Sequence, residues 1–167
     1  MSKLLTIDAK VIAAAFTCQA FQDVRYYLNG IYFEPIEDGG VRAVATDGHR
    51  MIVVTDKNGE CEAPIIIDFE KTAVTKMKAK GAGVVAVSRV DEDTVIAKIH
   101  GNTDHVSSVN IVSGTFPDYR AVIKSELPKE SAGFVPFNSE YMRGFCDVAK
   151  ILDMPNNAIS FVNGAAN

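Results

Sequence analysis

"VRAVATDGHRMIVV", residues 41–54, decides how this chain folds. Apolar, β-branched-rich runs, VRAVAT and RMIVVT, flank the pair Asp47-Gly48. Such runs form half-buried strands, and an Asp-Gly pair accepts the positive φ of a tight turn, so the stretch predicts a β-hairpin with a type I′ turn. Asp47, His49 and Arg50 also offer an acid, a base and a cation close together. A catalytic relay needs side chains that converge within hydrogen-bond reach of a nucleophile. On a strand His49 and Arg50 point to opposite faces, and neither Ser nor Cys stands beside them. The stretch therefore reads as a hairpin with no catalytic residue, and His49 and Arg50 are left in need of another role.

Outward from the hairpin, one pattern occurs three times. LLTID leads into AKVIAAAFTCQAF, PIIID into FEKTAVTKMKAKG, and GFVPFN into SEYMRGFCDVAKIL. Each apolar strand ends on Asp8, Asp68 or Asn138, side chains that can cap a helix by accepting from a first-turn amide. Helical spacing follows: Val11, Ile12, Ala15 and Phe16; Ala73, Val74 and Met77; Tyr141, Met142, Phe145, Val148 and Leu152. After the first two helices come strands: RYYLNGIYFE and the hairpin, then VVAVSRV, TVIAKIH and VSSVNIVS. Tyr26 and Tyr27, adjacent on the first of these, should face opposite sides, one in the core and one exposed. Sparse helices among antiparallel hairpins predict an α+β fold of repeated strand–helix–strands units, each helix covering one sheet face. The third unit has only AISFV after its helix, so a longer natural protein is expected.

The 167 residues suffice for one domain and part of another, and no apolar run approaches a membrane span. A cytoplasmic protein without membrane partners is expected. Cys18, Cys61 and Cys146 are scattered and odd in number, which predicts neither disulfides nor a zinc site; Cys18 and Cys146 read as core. His100 and His105 flank GNTD without further ligands for a metal. GAGVVAV follows a helix and opens a strand, the reverse of a phosphate loop, so Gly81 reads as a helix stop and no cofactor is expected. Lys71, Lys76, Lys78 and Lys80 form a solvated helix face or a phosphate-facing stripe. The net charge of −4 argues against tight electrostatic binding of nucleic acid.

QDVRYYLNGIYFE, VRAVATDGHRM and GTFPDYRAVI, in this order, together resemble the middle domain of the bacterial DNA polymerase III beta sliding clamp over residues 3–123. FVPFNSEYMRGFCDVAKIL is similar to the start of the second half of that family's last domain. The resemblance implies a clamp domain over residues 1–124 and an incomplete half-domain over 125–167, a shortened relative of phage or prophage type. It implies a non-enzymatic DNA-clamp fold, helices on one face of antiparallel sheets, closed into a homo-oligomeric ring that holds double-stranded DNA weakly and topologically. That removes the conflict with the acidic charge. It implies that DNA polymerase and other clamp-binding proteins insert a peptide beside the hairpin, at Leu28, Thr46, Gly48, His49, Arg50 and Met51. DNA contacts are implied at Gln22, Arg25, Tyr26 and Tyr27, and at Lys76 and Lys80, on or near an inner helix. Lys124 stands where the family usually has proline, and the family's closing strand is not in this sequence. The alternative is a phage-encoded adaptor or decoy that binds clamp partners or the host clamp without forming a ring.

Overall fold

The computed structural model describes residues 2–102, 104–123 and 138–155. β1 (Ser2–Asp8) leads into α1 (Ala9–Ala15), then β2 (Ile31–Pro35), β3 (Val41–Thr46) and β4 (Met51–Asp56). After a short β5 (Glu60–Cys61), the same order returns: β6 (Ile65–Phe69), α2 (Lys71–Met77), β7 (Ala82–Arg89), β8 (Val95–Gly101) and β9 (His105–Ile111). Among the described residues α3 (Ser139–Ile151) comes last. The strands form one sheet in the order β4-β3-β2-β6-β9-β8-β7-β1-β5, every pair antiparallel. The first strand of each half pairs with the second strand of the other: β1 with β7, and β6 with β2. The two repeats are thus interlocked into one α+β unit.

Alternation along the central strands separates two faces. Ile31 and Phe33 of β2, Ala43 and Ala45 of β3, and Ile67 and Phe69 of β6 enter the main core with α1 and α2. Tyr32, Val44 and Ile66, the intervening residues, face the other way and gather with Leu28, Phe116 and Tyr119. The sheet is therefore covered on both faces here, by helices on one and by loop segments on the other. That second, smaller cluster carries the candidate site.

Two of the three expected caps form. The Asp8 carboxylate accepts from the Lys10 amide at 2.8 Å, and the Asn138 side chain from the Glu140 amide at 2.9 Å. Asp68 is not a cap: β6 runs on through buried Phe69, and Asp68 pairs across the ladder with Asn110. Its carboxylate accepts from Gln19 Nε2 at 3.1 Å, while α2 starts after Glu70, which makes no side-chain cap bond. Gly81 does take the left-handed conformation expected of it, with φ +89°, but it is not the helix stop: α2 ends earlier, at Met77.

α1 is closely surrounded: Ala9, Ala13, Ala14 and Ala15 are fully buried, and small side chains let α2, α3 and the sheet approach together. α3 rests against the core that holds α1 through buried Val148 and half-buried Phe145, Ile151 and Leu152. Lys10 of α1 pairs with Asp153 at its end. Cys146, expected in the core, is exposed because it lies on the solvent side of α3. The strand expected before α3, that at 158–162 and the boundary expected after residue 124 lie outside the described residues.

Candidate functional site

The hairpin forms where expected, but its turn is larger. Thr46 and Met51 are the last facing pair, leaving a four-residue loop, Asp47–Arg50, rather than a two-residue type I′ turn. Within the loop only Gly48 has positive φ, +88°. Side chains do the rest. Asp47 Oδ1 accepts from the amides of His49 (2.9 Å) and Arg50 (3.0 Å), and Thr46 Oγ1 donates to the Arg50 carbonyl (2.7 Å) while accepting from Gly48 N (3.0 Å).

Because His49 and Arg50 sit in this loop and not on a strand, they do not simply diverge. Arg50 folds back, its Nε donating to Asp47 Oδ2 at 3.0 Å. Burial pushes the Asp47 carboxyl up, but the two amides and the guanidinium outweigh it and hold the group below the usual range. Arg50 Cζ stands 5.1 Å from the centroid of Tyr141 on α3, and the His49 ring stacks on the same tyrosine at 6.3 Å. A β-carbon on Gly144 would come within 2.5 Å of Arg50 Nη1, so glycine permits the approach of α3 to the loop.

The hairpin is one wall of a cavity of about 370 Å³, and all six residues expected there, Leu28, Thr46, Gly48, His49, Arg50 and Met51, line it. Leu28 is buried beneath it. Sequence reasoning missed the opposite wall: Phe116, Pro117, Tyr119 and Val122. Phe116 stacks on Tyr32 with centroids 4.9 Å apart and planes 7° apart. The signal was in GTFPDYRAVI, a segment used for the resemblance but given no place in the site.

Arg25 also lines this cavity, although it was expected among DNA contacts. Its Nε and Nη2 donate to the two oxygens of Asp23 at 3.0 and 2.7 Å, and these bonds hold the Asp23 carboxyl down to about 2. A β-carbon on Gly48 would lie 2.8 Å from Arg25 Nη2, a side-chain end that can shift, so the backbone conformation is the glycine's main requirement.

The segment carrying Gln22, Arg25, Tyr26 and Tyr27 is not a strand. Gln22 has φ +56°, and Tyr26–Leu28 form a short 3-10 turn. The Asn29 side chain closes the bend by accepting from the Asp23 amide at 3.0 Å and donating to the Asp23 carbonyl at 2.9 Å. Tyr26 is exposed and Tyr27 half-buried, with rings edge-on at 5.8 Å, so they touch rather than lie on opposite faces. Lys76, on α2, and Lys80, beyond the end of that helix, are elsewhere, beside a second cavity of about 250 Å³ shared with Asn102, Asp104 and His105. Among the described residues no cluster of three or more His, Cys, Asp and Glu could hold a metal.

Cys18 feels the charges of both Arg50 and Asp47. Burial pushes its thiol up, and a neutral, buried thiol is a poor nucleophile. Asp47 and Thr46 are spent on holding the loop's own shape, and the cavity beside it is lined by apolar side chains together with Arg25, His49 and Arg50. Such a lining can accept apolar side chains of a ligand.

Two interlocked strand–helix–strands halves, with paired helices on one face of the sheet, define a DNA sliding-clamp domain. The DNA polymerase III subunit beta of Pseudomonas aeruginosa has this fold, with a TM-score of 0.56 at 24% identity over 76% of this chain and 36% of that one. Residues 6–118 match the central domain of the DNA polymerase III beta subunit, and the chain belongs to that family. It is 37% identical to the beta sliding clamp of Vibrio cholerae over 116 residues, 66% of this chain and 30% of the relative. Against that of Escherichia coli K12 it is 32% identical over 141 residues, 84% of this chain and 35% of the relative. The chain thus spans about a third of the length of these relatives.

Proposed function

We propose that this chain serves as a sliding-clamp-like processivity factor, a non-catalytic tether that encircles duplex DNA in the cytoplasm as part of a ring. It recruits replication or repair proteins through the cavity beside the hairpin. The observation that carries the reading is the convergence of Leu28, Thr46, Gly48, His49, Arg50 and Met51 on one cavity. Its apolar walls suit leucine- or phenylalanine-like anchors, and Arg25, His49 and Arg50 suit the carbonyls or carboxylates of an extended peptide. The net charge of −4 suits a ring that holds DNA by topology, with Gln22, Tyr26, Tyr27, Lys76 and Lys80 giving weak, mobile contacts.

The test has two parts. The protein should bind a fluorescein-labelled hexapeptide whose apolar side chains are leucine and phenylalanine, and its assembled form should stay on closed circular DNA and leave when the circle is cut. Absence of both overturns the reading. Peptide binding without topological retention favours an adaptor that engages clamp partners or a host clamp without forming a ring.

A further inference from the structure

Glu34 is almost fully buried, at 7% exposure, on the sheet face that carries the cavity, yet it does not line the cavity. Four side chains donate to its carboxylate. Arg42 of β3 reaches Oε1 at 3.0 Å and Tyr32 of β2 reaches Oε2 at 3.3 Å; the Tyr119 hydroxyl and the Arg120 guanidinium also donate to Oε1. Arg42 Nη1 donates to the Tyr119 hydroxyl at 3.1 Å as well, and the Arg120 guanidinium lies 4.6 Å from the Tyr119 centroid. Two of the donors therefore belong to the sheet and two to the segment that builds the cavity's second wall. Among the described residues, every hydrogen bond from residues 116–123 to the sheet ends on Glu34 or Arg42.

Among the described residues the wall has little else to hold it. It contains only the short turn Tyr119–Val122, and Val122 and Ile123 are exposed. Its apolar anchors on the sheet are Phe116 and Tyr119. A buried carboxylate shared between segments is costly to leave unpaired, so it strongly favours the arrangement in which all its donors are in place. We propose that Glu34 is a positioning residue for the docking groove: it fixes the Phe116–Val122 wall on the sheet and so sets the groove's affinity for an apolar peptide without touching that peptide. This rests on the docking reading above.

The experiment compares the full chain with Glu34→Gln and Tyr119→Phe. Peptide affinity is read by anisotropy of the fluorescein-labelled leucine–phenylalanine hexapeptide, at a temperature where circular dichroism shows each variant folded. Glu34→Gln keeps the size and removes the charge, and should weaken binding by about tenfold, the scale of one charge-assisted hydrogen bond. Exchange of the Ala121 and Ile123 amides, bonded to the Asp118 and Arg120 carbonyls, should quicken while β7 and β8 stay unchanged. Should Glu34→Gln fail to fold, Tyr119→Phe carries the test, with weaker binding and the same local exchange expected. The double variant should lose less affinity than the two single losses combined, because Glu34 and the Tyr119 hydroxyl belong to one hydrogen-bond network. A merely structural Glu34 would lower the melting temperature and leave the affinity of the folded protein unchanged. Wild-type binding with equal affinity in the variants overturns the proposal. No binding by the wild type overturns the docking reading itself and the affinity claim with it.

Discussion

Gly48 shows how much one residue carries. Its φ of +88° is a conformation that costs an L-residue about 1–2 kcal/mol, and its missing β-carbon leaves room for Arg25. Arg25 is a flexible side chain and can move aside, so the backbone strain remains as the main cost. Gly48→Ala should lower unfolding stability by about 1 kcal/mol in urea titration. Asp47 gives a pH dependence. The groups facing its carboxylate are the His49 and Arg50 amides and the Arg50 guanidinium, and they depress its pKa. A depressed carboxylate stabilises the fold fully above its unfolded value, about 3.9, and the contribution is lost as pH falls through the lower folded value. The stability difference between wild type and Asp47→Asn should therefore be constant above about pH 5 and shrink below about pH 4, measured by urea unfolding across pH. A difference that grew on acidification would contradict this account of the loop.

At the scale of elements, α1 is the tightest junction. Ala13 is fully buried in the core on α1, against which α2, α3 and the sheet pack, so Ala13→Leu should cost about 1–3 kcal/mol by overpacking, read as a lowered thermal midpoint. Much of this level was legible in the sequence. The repeat could be read from its caps and apolar spacing, because Asp8 and Asn138 act locally. Asp68 misled because it ends an apolar run, whereas the alternation Ile65, Ile67, Phe69 carries the strand past it. The tyrosines at 26 and 27 have strand propensity, but the Asp23–Asn29 bonds bend the chain into a turn. The second wall was not legible from local pattern at all. Its position depends on Glu34 and Tyr32, roughly eighty residues earlier, and such tertiary pairings leave no periodicity in sequence.

At the scale of the molecule, the interlocked halves make a sheet whose two covered faces do different work. The helix face holds α1, α2 and α3, while the opposite face gathers three distant segments, residues 25–28, 46–51 and 116–122, around one cavity. What looked in sequence like an acid, a base and a cation for catalysis is a self-braced loop whose charges shape a groove. The most direct test is to titrate the ¹⁵N-labelled chain with the unlabelled leucine–phenylalanine hexapeptide and map the amide shifts. Saturable changes concentrated at Arg25–Leu28, Thr46–Met51 and Phe116–Val122 are predicted. Unchanged spectra, or changes centred instead on the Lys76–His105 cavity, would contradict the account.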